Sequence, residues 1–150
     1  MTTTGRATET GATGTTLTLQ PYIFLYGRCQ EALDFYKSVF GGEYEAMRVK
    51  DTPMKDDPKL TDGNAIMHAS FTSPGVSFFC SDGMEKKAVN PDEGNICLAV
   101  SATDKASGER ICAKLAEGGK VVMPLAEAFW GGRFADIVDR FGNEWMLTLP

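Results

Sequence analysis

The 150-residue chain has a single histidine. One imidazole cannot supply a two-histidine, one-carboxylate metal site within one subunit, so that ligand set is excluded. The four cysteines, Cys29, Cys80, Cys97 and Cys112, include no C-x-x-C pair. That spacing disfavours a zinc-thiolate cluster. Each cysteine lies in an otherwise apolar segment, which reads as buried free thiols in a reducing cytoplasm. No apolar run approaches the length of a membrane span. Lys and Arg total 15 against 20 Asp and Glu, a formal net charge of −5. With no basic stripe either, nucleic acid is not an expected partner, and neither is a membrane. Residues 1–16 are nearly all Thr, Gly and Ala. They lack the apolar core of a secretion signal and cannot bury enough surface to offset their ordering entropy, so they read as a flexible tail.

What is present is an internal repeat. Residues 17–82 read as strand, helix and three strands, and residues 94–150 read the same way, joined by a polar linker over 83–93. The first helix, Cys29 to Phe40, places Cys29, Leu33, Tyr36 and Phe40 on one stripe and stops at Gly41-Gly42. The second runs from about Asp104 to Glu117, carries Gly108, Ile111, Cys112 and Leu115 on its buried stripe, and stops at Gly118-Gly119. Residues 17–150 are therefore expected to form one α+β domain: two βαβββ modules building a curved mixed sheet around a cup, with the helices on the outer face.

The strand from Leu17 to Tyr26 alternates. Leu17, Leu19, Ile23 and Leu25 share one face, expected against the helices, while Gln20, Tyr22, Phe24 and Tyr26 share the other, expected to line the cup. In the strand from Asn64 to Thr72, His68 falls with Ile66 and Ser70, opposite Met67, Ala69 and Phe71. That parity aims the imidazole into the cup. Phe78 and Phe79 are neighbours, so only one can face inward; Phe78, sharing a face with Cys80 and Asp82, is preferred. The segment from Pro124 to Gly132 reads as a rim, bringing Glu127, Phe129 and Trp130 to the mouth of the hollow.

Several segments resemble the vicinal oxygen chelate superfamily, also called the glyoxalase/bleomycin-resistance/dioxygenase fold, and most closely its PhnB-like branch. They are Pro21-Tyr22-Ile23-Phe24 with Gly27-Arg28-Cys29; Glu31-Ala32-Leu33-Asp34-Phe35-Tyr36; Ile66-Met67-His68-Ala69; Phe129-Trp130-Gly131; and Asp139-Arg140-Phe141-Gly142-Asn143-Glu144-Trp145. The resemblance covers nearly everything from Leu17 to Pro150 and includes Glu127. It implies a frequent homodimer and, in most members, a divalent ion in the cup held by one side chain from each of strands one, four, five and eight. Those positions fall here on Gln20 or Pro21, near Phe78, on Asn95 or Cys97, and on Met146. Met, Phe and Pro are poor ligands for a hard or borderline ion, so no metal ligand is assigned. No cofactor is expected, and a divalent metal is disfavoured.

The candidate site residues follow. His68 can act as general base, proton donor or ligand anchor, or be an imidazole satisfied by a neighbouring hydroxyl or carbonyl. Glu127, flanked by Ala126, Ala128 and Phe129, is either a desolvated acid or an exposed surface charge. Tyr22, Phe24, Phe78 and Trp130 supply aromatic surface suited to a planar or apolar small molecule, and Gln20, Cys80, Asn95 and Met146 join them as ligand-binding candidates. The expected function is small-molecule binding in an aromatic-lined cup. The alternative is an enzyme using His68 and Glu127 for acid–base or atypical metal-assisted chemistry on a small oxygenated substrate.

Overall fold

A computed structural model describes residues 16–150; the tail expected over 1–16 lies outside the described residues except for Thr16. The chain runs β1 (Tyr22–Phe24), α1 (Cys29–Phe40), β2 (Glu43–Arg48), β3 (Ile66–Ser73), β4 (Val76–Ser81), β5 (Leu98–Ser101), α2 (Lys105–Ala116), β6 (Lys120–Glu127), β7 (Arg133–Val138) and β8 (Glu144–Leu149). Short 3-10 turns punctuate the long loop after β2 and the linker before β5.

The repeat is present in the topology. The first unit forms a four-stranded sheet in the order β1-β4-β3-β2, the second a sheet in the order β5-β8-β7-β6. In each, the first strand is parallel to the fourth and the other pairs are antiparallel. The glycines after the helices do matching work. A Cβ on Gly42 would lie 2.3 Å from the Thr72 carbonyl oxygen, and one on Gly119 would lie 2.2 Å from that of Val138. Each lets the chain leave its helix against the third strand of its own unit. Gly108 serves packing too: a Cβ there would press on Leu149 at 3.0 Å, so the glycine lets α2 approach β8 closely.

One hydrophobic core joins both units. Each sheet turns one face inward: Ile23, Ala69, Phe71, Phe78 and Cys80 from the first, and Ala135, Ile137, Trp145, Leu147 and Leu149 from the second. Helix α1 connects them. Tyr36 meets Phe78 edge-on with centroids 5.4 Å apart and lies 5.7 Å from Trp145. At the helix start Arg28 stacks over Phe141 and donates to the Arg140 carbonyl at 2.9 Å. Two buried carboxylates tie the irregular backbone. Asp82 accepts from the amides of Cys29 and Ile66. Asp139 accepts from the Tyr36 hydroxyl, from Trp145 Nε1 at 2.8 Å and from the amides of Phe141 and Asn143. Burial, and then the Asp139 charge, hold the Tyr36 phenol well above its ordinary value.

Three expectations need correction. The first strand is far shorter than Leu17 to Tyr26. Leu17 and Leu19 are 88% and 90% exposed instead of packed on helices. Pro21 has no amide to give a ladder, and its carbonyl accepts from Phe79 where pairing begins. The rim expected from Pro124 starts later, because β6 continues to Glu127. Proline is tolerated there because β6 is an edge strand whose pairing shifts register between Met123 and Ala126. Finally, Phe78 faces the core, and Phe79 takes the opposite face.

Candidate functional site

The faces of the two sheets turned away from the core carry the site. Strand pairing places Tyr22 beside Phe79 and Phe79 beside Ser70 in one row across the first sheet. His68 packs in the same patch, with its ring centroid 5.2 Å from Phe79 and 5.6 Å from Tyr22. Its Nδ1 and the Tyr22 hydroxyl are hydrogen-bonded at 3.0 Å, with the donor set by the imidazole tautomer. Burial raises the Tyr22 phenol above its ordinary value, and the Ser81 hydroxyl pulls it partway back. Phe24 packs on Tyr22 and stacks on Tyr26, with centroids 5.2 and 6.2 Å apart. Tyr26 sits at φ 46°, in the left-handed region that residues other than glycine rarely adopt.

On the second sheet the pairing row is Ala99, Met146, Asp136 and Met123. Phe134 lies one row along, and Trp130 meets it edge-on at 5.6 Å. Where the two units meet on this side, Tyr22, Phe24 and Tyr26 face Ile96, Leu98, Asn143 and Glu144 around a cavity of about 420 Å³. That volume lies within the range of small-molecule sites. On the helix side of the same seam is a second cavity of about 330 Å³, bordered by Phe40, Phe78, Ile111 and Trp145.

The sequence candidates divide accordingly. Tyr22 and Phe24 line the larger cavity. His68 reaches its wall through Tyr22, and Met146 lies on the open face of β8. Phe78 and Cys80 do not join them. Phe78 stacks on Phe71 at 4.8 Å, and Cys80 Sγ lies 3.5 Å from Cys29 Sγ inside the core. The hydrogen bond to Cys80 and burial push the Cys29 thiol far up, and both sulfurs are enclosed in the core, away from the cavity. Gln20 and Asn95 are exposed in the segments before β1 and β5. Glu127 is exposed at the end of β6, paired in register with Arg133, and is not desolvated. Trp130 is 59% exposed.

Phe79, weighed against Phe78 and passed over, joins the site, as do Ile96, Asn143 and Glu144, which were not proposed for it. For Phe79 the signal was present, since it alternates with Phe78. For Ile96 and Glu144 only the meeting of the two units reveals the placement.

The resemblance implies a divalent ion in the cup, and the positions it designates here do not supply a ligand set for one. Of the four expected positions, Phe78 is turned into the core and Met146 offers only a thioether. Among the described residues no group of three or more His, Cys, Asp or Glu converges.

Comparison with known proteins places this geometry in a lineage. A family model described as 3-demethylubiquinone-9 3-methyltransferase matches residues 18–148. The PhnB protein from Bacillus cereus superposes with a TM-score of 0.72 at 24% identity, covering 89% of this chain and 100% of that one. Protein PA1353 from Pseudomonas aeruginosa superposes with a TM-score of 0.71 at 31% identity, covering 89% of this chain and 98% of that one. A glyoxalase/bleomycin resistance protein/dioxygenase family enzyme from Burkholderia phytofirmans shares the fold, with a TM-score of 0.54 at 12% identity over 85% of this chain and 94% of that one.

Proposed function

Because the chain belongs to the PhnB-like 3-demethylubiquinone-9 3-methyltransferase family, on the glyoxalase/bleomycin-resistance/dioxygenase fold, we propose that it binds a small planar molecule in the seam cavity between its two units. The observation that carries this reading is the three-ring wall of Tyr22, Phe24 and Tyr26 facing a cavity of about 420 Å³. Flat aromatic walls favour planar ligands, which stack with little loss of conformational freedom. The family description names a demethylubiquinone, a planar hydroxylated ring, and such a ring is the kind of ligand this wall suits. Tyr22 and His68 then offer a hydroxyl and an imidazole to a ligand oxygen at the cavity edge. We place the protein in the cytoplasm, where its four free cysteines fit a reducing environment. We also propose a homodimer. Val121, Val122 and Met123 on β6, with Phe129 and Trp130 beyond it, leave apolar surface of the kind that subunit contacts cover.

One observation favours an enzymatic reading. Tyr22, at the cavity wall, is hydrogen-bonded to His68, and such a pair would serve acid–base chemistry on a small oxygenated substrate. Glu127, the other residue proposed for that chemistry, lies exposed at the strand end.

Thermal-shift screening of aromatic, hydroquinone and anionic metabolites tests the binding reading. A bound ligand at a hundredfold excess over its Kd stabilises by about 2.7 kcal/mol, a clear rise in Tm. His68→Ala and Tyr22→Phe should lessen that rise. A flat response across the panel would remove the reading.

A further inference from the structure

We propose that Asp136 and Glu144 form an acid pair that receives the ammonium group of an aromatic amine lodged in the seam cavity. The inference deepens the binding reading above and rests on it.

Asp136 is 6% exposed, and its Oδ1 has no hydrogen-bond partner. A buried carboxylate oxygen left bare costs stability, so a native site that keeps one has a reason to do so. Strand pairing sets the geometry. Asp136 sits opposite Met146, and Val138 sits opposite Glu144. Glu144 is therefore the diagonal neighbour of Asp136 on the same open face. Glu144 lines the seam cavity with Tyr22, Phe24 and Tyr26, and Asp136 adjoins Glu144 without lining the cavity itself.

Among the described residues neither carboxylate takes part in a salt bridge. The neighbouring Asp136 carboxyl, then burial and the charge of Asp92 in the linker, raise the Glu144 carboxyl above its ordinary value. Cys97 lies within the field of both acids, its thiol raised by burial and then by Glu144 and Asp136. Lys120 opens β6 opposite Val138 without joining an ion pair with either acid. Two carboxyls so placed favour a cation near them, since neighbouring like charges repel and an opposite charge relieves that repulsion. The rings add to the preference, since aromatic faces attract cations. Tyr26 already holds Lys87 Nζ 4.6 Å from its centroid.

The test uses three probes of one shape titrated into the full chain by NMR: 2-phenylethylamine, 2-phenylethanol and 3-phenylpropionate. The amine should bind at least about tenfold more tightly than the alcohol, the gain of a charge-assisted hydrogen bond. The acid should bind most weakly. In Asp136→Asn with Glu144→Gln, whose fold is checked by amide dispersion, the amine-to-alcohol ratio should fall close to one. Equal affinity of amine and alcohol for the native chain would overturn the acid pair and leave the cavity reading standing. No perturbation at Tyr22, Phe24 or Glu144 by any probe would overturn both.

Discussion

At the residue scale, Asp139 and His68 show two ways a polar side chain is held. Asp139 is enclosed by four donors and carries the join between α1 and the β7–β8 turn. Asp139→Ala strands those donors in the core and should cost about 3–5 kcal/mol, read from urea unfolding. The Tyr22–His68 bond is half open to solvent. Tyr22→Phe should change stability by less than about 1 kcal/mol, while shifting the imidazole tautomer balance seen in the ¹⁵N shifts of His68. Unchanged shifts would show that the bond does not hold in solution. Glu144 gives a pH signature. Its folded carboxyl is raised above the ordinary value of 4.5. The native state therefore favours the protonated form, and that contribution is present below the unfolded value and lost as pH rises through the folded one. Asp136→Asn should flatten this part of the Tm–pH curve and raise Tm at neutral pH. A steeper curve would contradict the pairing.

At the scale of the element, alternation in β3 was legible in part: the structure keeps His68 and Ser70 apart from Ala69 and Phe71, but Ile66, which the pattern grouped with His68, is buried in the core where the pairing with β2 shifts register. Alternation in β4 grouped Phe78 with Cys80 correctly but could not say which face turned inward, because both phenylalanines are equally apolar. Strand pairing decides it, setting Phe78 beside Phe71 and Phe79 beside Tyr22. The expected consequence is asymmetric. Phe78→Ala should cost about 3–5 kcal/mol, whereas Phe79→Ala should cost about 1 kcal/mol and weaken ligand binding. Equal costs in a denaturant titration would refute the face assignment. Glu127 failed for a related reason. Its apolar neighbours suggested desolvation, but an edge strand buries little of what flanks it. The N-terminal leucines failed because their alternation had no ladder to enter.

At the scale of the whole molecule, the duplication was legible from two helices with matching glycine stops, and the two like-ordered sheets follow from it. The seam was not legible. It depends on how one unit meets the other, which no local pattern encodes, and it brings Ile96 and Glu144 against Tyr22 and Phe24. The apolar surface of β6 with Phe129, 96% exposed, predicts self-association. Sedimentation should show a dimer that Val122→Lys with Phe129→Glu converts to a monomer; a monomeric native chain would remove that proposal. The central claim is that small planar molecules enter the open-face cavity and not the one beside Trp145. Amide chemical-shift mapping with an aromatic fragment set tests it most directly. Shifts gathered at Tyr22, Phe24, Tyr26, Ile96 and Glu144 are the predicted result. Shifts gathered at Phe40, Ile111 and Trp145, or none at all, would contradict it.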